Sequence, residues 1–451
     1  ACAVLWLALT IGTLSVTNTW DLPVFWLLSA ATLVYLGYRS GGVRGAVLGG
    51  GVSPVLALAA LLAFAPFYSR FRAQNLGLAL LTPGERTAVA PFLEIWGAVL
   101  WLTIGLLRWG ARTSGRRRGR RGSGRGRWLS RALGIALSIS FAAGVAMGQI
   151  WPLLACLLAA SLAMCILQRN RPGRWILWLC LAAGFGLLLG IEWIYVADFL
   201  RGSDWRRMNT VFKFSIQAWV LLAAVGGAML PVVWQSARPW TSSGMAWRTG
   251  AVVLLAGAFV YPLAAVPTRV NERFPSGSPS GLTLDGTAYM EQAVYSLPES
   301  DNPVEMRYDR DALRWIWANV SVLPVLAEAP VGYYREGGLR MSSYSGLPTL
   351  VGAHQYEQRP AEQVAPQLAD AELLFTTEDP EVALALMQRR HVRLVYVGPL
   401  ERALYPEAAL AKFEALEDTG VLKCLYENDG ATLYLYADGV PGDRGSADGW
   451  S

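Results

Sequence analysis

Charge is what this sequence has little of. Asp, Glu, Lys and Arg make up 16% of its 451 residues, where a soluble chain carries about a quarter. An ordinary water-soluble globule is therefore excluded for most of the length. Histidine is scarcer still: His354 and His391 are the only two, too few for a conventional zinc cluster. Five cysteines do not build a disulfide framework. Cys2, Cys156, Cys165 and Cys180 lie in apolar runs, where cysteine behaves as a small hydrophobe. Only Cys424 falls in the C-terminal part, so no bridge forms within it.

Apolar residues are abundant, at 53%, with 19 tryptophans among them. Up to about Val266, apolar runs alternate with short polar loops; beyond Pro267 the mixture is that of a soluble domain. A spanning helix needs about 20 mostly apolar residues. Runs at 1–16, 23–38, 45–66, 89–108, 132–149, 151–168, 174–196, 210–233 and 248–266 meet that need, with GQIWP at 148–152 supplying a turn. The expected fold class is a polytopic α-helical membrane protein. About nine transmembrane helices fill residues 1–267, an α/β domain fills 268–438, and a disordered tail fills 439–451. The chain opens at Ala1 inside an apolar run without the basic start of a signal peptide. We read it as a fragment that has lost upstream membrane helices.

Lysine and arginine set the expected orientation. The loop 108–131 holds ten arginines and no acid, so it is expected in the cytoplasm. Threading the remaining spans puts Arg39, Arg44, Arg169, Arg171, Arg174, Arg238 and Arg248 inside as well. The loops 17–22, 67–88, 148–152 and 197–209 then lie outside, and the C-terminal domain is extracytoplasmic, on a plasma-membrane protein. Arg70, Arg72, Arg86, Arg201, Arg206 and Arg207 break the rule. Glycine and serine interleave the arginine run, and no aromatic platform accompanies it. It reads as a solvated topogenic loop and not as a nucleic-acid patch. The partners expected are membrane lipids and no nucleic acid.

The C-terminal part alternates. RDALRWIWANV suits a helix, PVLAEAP and ELLFTT suit strands, and DPEVALALMQRRH suits a helix capped by Asp379 with Pro380 in its first turn. VRLVYVG follows as a strand, then a helix near 401–415, then a hairpin turning at Asn428, Asp429 and Gly430. Such a pattern predicts an α/β domain with a partly parallel sheet.

Ionisable groups beside membrane spans are costly and are functional candidates by default. Asp21, Glu94, Glu192, Asp198, Asp204, Arg206, Arg207 and Lys213 all sit at expected outer ends. Within DWRRMNTVFKFSIQAW, residues 204–219, Arg206, Asn209, Lys213 and Gln217 share one helical face. Arginine forks and a lysine at headgroup depth suit a lipid-linked phosphate. The carboxylates of Asp21, Glu192, Asp198 and Asp204 suit a general base or a divalent cation, and no motif identifies a metal or other cofactor. The blander reading is a snorkelling Lys213 in a structural pair with Glu192. In the C-terminal domain, GLRMSSYSGLPTLVGAHQYEQR brings Arg340, Tyr344, His354, Glu357 and Arg359 together around turn residues. They suit a sugar-binding or acceptor-binding face, or docking onto the membrane region.

Several stretches in order, NTWDLP, EWIYVADF, RMNTVFKF, GLTLDGTAYM, LRMSSYSGLPTLVG and VRLVYVGPLERALYP, resemble the bacterial and archaeal membrane proteins of the DUF2298 or Chlor_Arch_YYY family. The resemblance runs from about Asn18 to Tyr436, and RMNTVFKF is its most specific part. It implies a likeness to GT-C glycosyltransferases, which use polyprenyl-phosphate-linked sugars at the outer membrane face. Three readings follow: GT-C-like glycosyl transfer from a lipid-linked sugar, a transporter or flippase for an anionic lipid-linked substrate, and a non-catalytic membrane scaffold.

Overall fold

The computed structural model describes residues 2–69, 71, 77–114, 124–198, 200–273, 283–297, 300, 302–332, 337–352, 355 and 359–436. The chain divides into two compact units, Ala1–Pro262 and Leu263–Ser451. The division falls inside a long helix, and each unit is described separately.

The first unit is helical. It contains α1 (Cys2–Thr17), α2 (Leu22–Ala63), the short α3 (Ala65–Tyr68), α4 (Val89–Ser114), α5 (Gly124–Met147), α6 (Trp151–Leu167), α7 (Pro172–Gly190), α8 (Met208–Ser236) and α9 (Ser242–Arg273). Among the described residues, α2, α4, α5, α7, α8 and α9 are long and apolar enough to cross a membrane, and α1 and α6 are shorter apolar helices. The chain is thus a polytopic helical membrane protein.

Helix α2 is not one rod. Gly41 and Gly42 leave helical geometry, Gly42 with φ of 58°, a conformation that costs glycine little. The two arms run back against each other: Trp26 Nε1 donates to the Ser53 carbonyl at 3.4 Å. Gly37 and Gly45 face each other so closely that a Cβ on either would run into the other's carbonyl. Sequence and backbone agree here, since only glycine lets two helices approach at that distance.

The core of this unit lies where α4, α6, α7 and α8 converge, around Leu107, Leu154, Leu157, Leu181, Phe185 and Leu222. Glycines again set the spacing. Trp178 fills the space over Gly110, and Leu222 fills that over Gly184.

The run 174–196, read as a single span, is corrected by the structure. Helix α7 stops at Gly190, and Ile194–Ala197 forms β2, antiparallel to β1 (Gly77–Leu80) with Gly77 opposite Ala197. β-branched Ile194 and Val196 favour a strand once a partner strand is available, and the loop before α4 supplies it.

The second unit is α/β. Strands β5 (Val325–Ala327), β6 (Val392–Val397), β7 (Leu422–Glu427) and β8 (Thr432–Tyr436) form a sheet in the order β5-β6-β8-β7. β5 and β6 are parallel and the other pairs antiparallel. Helices α10 (Met306–Asn319), α11 (Arg340–Ser345), α12 (Ala361–Thr376), α13 (Pro380–Arg390), α14 (Pro399–Leu404) and α15 (Glu407–Asp418) connect and cover it. A small antiparallel pair, β3 (Val294–Ser296) and β4 (Pro303–Glu305), precedes α10. Asp379 caps α13 by accepting from Glu381 N at 2.8 Å, and Asn428 Oδ1 holds the hairpin turn through the amides of Gly430 and Ala431.

Two expectations fail in this unit. ELLFTT is the end of α12 and not a strand: Val364, Ala371, Leu374 and Phe375 are its buried positions, a helical spacing. The helix expected near 401–415 is two, because Pro406 cannot continue α14 and instead starts α15. The expected tail, 439–451, lies outside the described residues.

The fold-back of α2 is testable at two glycines. Gly45→Ala should lower the melting temperature of the purified protein, since its methyl meets backbone. Gly51→Ala, with open space around it, should be neutral or gain up to about 1 kcal/mol from helix propensity. Equal behaviour of the two variants would mean that the arms are not packed together.

Candidate functional site

The acids of the membrane unit gather where α7 ends and α8 begins. Glu192 is the most enclosed, at 2% exposure. Its carboxylate accepts from Thr87 N and Thr87 Oγ1, both at 2.6 Å, and from Arg207 Nη2 at 3.4 Å. Arg207 also donates to the carbonyls of Ile191, at 2.8 Å, and Glu85. Arg206 forks onto the Glu85 carboxylate, with Nε at 3.0 Å. That guanidinium, with the Thr82 hydroxyl and amide, pulls Glu85 down to about 2 from its ordinary value. Arg86 lies over the Trp193 ring at 3.7 Å. The segment 82–87 is thereby tied to both helix ends.

Of the expected four-residue stripe, Arg206 falls outside, because α8 starts at Met208. Asn209, Lys213 and Gln217 remain, at i, i+4 and i+8. Asn209 Nδ2 donates to Asp198 Oδ2 at 2.7 Å, and Thr210 Oγ1 accepts from Val196 N at 2.9 Å. Two turns further in, Gln217 Nε2 donates to Asp21 Oδ1 at 2.6 Å and to the Trp20 carbonyl at 3.0 Å. Lys213 stands between these acid pairs, partly exposed. Among the described residues no carboxylate pairs with it, so the Lys213–Glu192 pair is not formed. Asp204 is exposed in the turn before α8, and Glu94 is exposed on α4.

The arrangement has an apolar counterpart. A cavity of about 210 Å³ lies among Leu78, Ile191, Tyr195, Thr210 and Phe214. A larger one, about 500 Å³, runs between the first arm of α2 and helices α6 and α7, among Val24, Leu28, Leu158, Leu179 and Ala183. Gly186, Leu187 and Phe214 line both, so the two meet there. Phe214 follows Lys213 directly, and its ring stands edge-on to Trp20 at 5.6 Å. A polar stripe and an apolar groove therefore lie on adjoining faces of α8, Asn209, Lys213 and Gln217 on one and Thr210 and Phe214 on the next. Chemically, this suits an amphiphile with an anionic head. Among the described residues no group of three or more His, Cys, Asp or Glu side chains could hold a metal ion.

Sequence reasoning missed Glu85, Thr87, Thr210 and the groove. Glu85 was findable: Thr82 and Glu85 stand at the capping-box spacing, and their side chains pair accordingly. Nothing in one sequence pairs Thr87 with Glu192 across 105 positions.

In the second unit the expected acceptor-binding residues that are described differ in exposure. Arg340 is buried, donating to Asp309 Oδ2 at 2.7 Å, Tyr295 Oη at 2.6 Å and the Gly337 carbonyl. It braces the core and is not presented to an acceptor, because a buried Asp309 needs its charge matched. Tyr344 is partly exposed and shares a hydrogen bond with Tyr289, and Arg359 is exposed. His354 and Glu357 lie outside the described residues. Near Arg340, burial pushes Glu401 up to about 7, against the amides of Ala329 and Gly398 that favour its charge.

Residues 1–222 match the family model described as "Uncharacterized membrane protein (DUF2298)". No curated protein and no solved structure matches the chain. The family match covers α1 to the middle of α8, hence all the groove and the stripe, and it ends before the α/β unit.

Two measurements check these assignments. Glu192→Gln leaves Arg207 without its buried counter-charge and should cost about 3–5 kcal/mol. Glu85→Gln, at a partly exposed and solvent-screened pair, should cost much less; similar losses in thermal denaturation would contradict the tie at Glu192. Glu401, raised in the folded state, binds a proton there that the unfolded chain has lost between its ordinary 4.5 and about 7. Stability of the α/β unit should therefore fall as pH rises through that window, by up to about 1.4 kcal/mol per unit. Glu401→Gln should flatten the profile.

Proposed function

Taking as premise that residues 1–222 belong to the DUF2298 family of membrane proteins, we propose that this chain transfers a sugar from a polyprenyl-phosphate carrier at the outer face of the plasma membrane. The observation that carries the reading is a pair of adjoining faces of α8, with Lys213 between the Asn209–Asp198 and Gln217–Asp21 pairs on one and Phe214 in a groove of about 500 Å³ on the next. In this reading the prenyl chain lies along Gly186, Leu187 and Phe214, and Lys213 faces the phosphate. The nine-span count is supported by the fold-back of α2 into two arms, and the extracytoplasmic α/β domain by the arginines at the other end of the helices.

The chemistry asks little of the protein beyond charge placement. As the bond from the anomeric carbon to the phosphate oxygen breaks, the phosphate leaves with the electron pair, and Lys213 opposes its charge. A carboxylate takes the proton of the acceptor hydroxyl. Asn209 and Gln217 are eight residues apart, about 12 Å along the helix axis, so their partners Asp198 and Asp21 do not act on one bond together. Asp21, deeper and beside the groove, is the base we assign. Arg206 and Arg207 keep the mouth in shape through Glu85 and Glu192, leaving Lys213 as the phosphate contact.

Binding and turnover of a radiolabelled polyprenyl-phosphate sugar by purified protein test the reading. Lys213→Met should weaken binding by about ten- to a hundredfold, the worth of a charge-assisted contact. Gly186→Leu should block the groove, and Asp21→Asn should bind normally but fail to transfer. Val220→Ala, on the exposed side of α8, is the control. If wild type, Lys213→Met and Gly186→Leu bind alike, the assignment is wrong. Binding without transfer in wild type, with movement of the lipid across vesicles, would favour a flippase.

A further inference from the structure

At the other end of the membrane unit the charges are of one sign. In residues 1–271 the only acids are Asp21, Glu85, Glu94, Glu192, Asp198 and Asp204, all at the end already described. Where α4 ends, α6 ends and α7 begins, the sequence supplies Arg108, Arg112, Arg169, Arg171 and Arg174 and nothing to neutralise them. Such ends are commonly solvated topogenic charge. One of these arginines is held differently.

Arg174 Cζ lies over the Trp109 ring, 4.6 Å from its centroid, and its Nη1 is screened from solvent without an acceptor among the described residues. One turn further along α7, Trp178 is 1% exposed, and its Nε1 is likewise screened and without an acceptor. At i and i+4 the two donors share a face, at the first turns of a helix whose dipole favours an anion. The surroundings are fixed. Gln168 Nε2 ties α6 to the Gly110 carbonyl and Ser114 Oγ, both at 3.2 Å. Tyr35 stacks on Trp175 at 3.7 Å and donates to the Arg169 carbonyl at 2.7 Å.

We propose that this end of α4 and α7 is a binding site for the phosphate of an anionic phospholipid, with Arg174 and Trp178 as donors and Arg112 and Arg171 completing the charge. A lipid fits better than a free anion, because exposed Ile166, Leu167 and Ile176 flank the site on α6 and α7 and offer acyl chains a surface. The site takes a diester phosphate at headgroup depth, and the apolar groove at the opposite end plays no part in it.

The test is native mass spectrometry of the full chain released from vesicles of phosphatidylcholine with a minority of phosphatidylglycerol. Wild type should retain phosphatidylglycerol in preference. Arg174→Gln should reduce that retention by about tenfold or more, leaving phosphatidylcholine adducts unchanged. Arg174→Lys should also lose it, since an ammonium keeps the charge but not the planar fork over Trp109. This second variant separates a built site from diffuse attraction, and it guards against misfolding of the first. Arg125→Gln, exposed at the start of α5, should behave as wild type. Absence of a preference in wild type, equal loss in Arg125→Gln, or full retention in Arg174→Lys would each overturn the proposal. Displacement of the lipid by millimolar inorganic phosphate would overturn the lipid assignment.

Discussion

A carboxylate with almost no access to water must find its partners inside the protein, and the carboxylate of Glu192 finds them on two separate segments. Thr87 offers an amide and a hydroxyl, and Arg207 offers its guanidinium. The helix end that carries Glu192, the segment leading into α4 and the turn into α8 therefore have one permitted arrangement. The β1–β2 pair closes over the same point. With those segments fixed, Thr210 meets Val196 and Asn209 meets Asp198, which sets the rotation of α8 about its axis. That rotation turns Phe214 into the groove and sets Lys213 on the adjoining face. The polar stripe thus depends on a bond made at the residue just before α8.

The same constraint sorts the cations. Arg206, Arg207 and Lys213 look alike in sequence, three positive charges within eight positions. The two arginines stand within reach of Glu85 and Glu192, and their charge is spent on shape. Lys213 points along a helix whose neighbouring acids are already taken by Asn209 and Gln217 amides.

How much of this was legible differs by level. That the first unit is a set of apolar membrane helices was readable, because apolar length is a property of contiguous sequence. The strand at Ile194–Ala197 was not, since a four-residue strand exists only through its partner near Leu78. ELLFTT misled for a related reason: a short apolar run looks the same in a buried helix and a buried strand. At the site, the acids at one end of the helices were visible as violations of composition. Their pairing was not, because Thr87 to Glu192 and Asp21 to Gln217 are long-range contacts. Arg340 was picked for its setting among turn residues, and the sequence held no sign that Asp309 would draw it into the core.

The reversal of α2 at Gly41 and Gly42 bears on how the chain enters its membrane. The two arms pack directly on each other at Gly37 and Gly45, with the Trp26 indole bound to the Ser53 carbonyl between them. Two such arms joined by two residues have no loop to drag across the bilayer and no intermediate in which one arm must wait alone in water. They can partition from the insertion machinery as one object, with Arg39 and Arg44 acting as a single electrostatic brake at its tip. The handedness of the whole helical unit would then be settled early, by a pair of residues with no side chains.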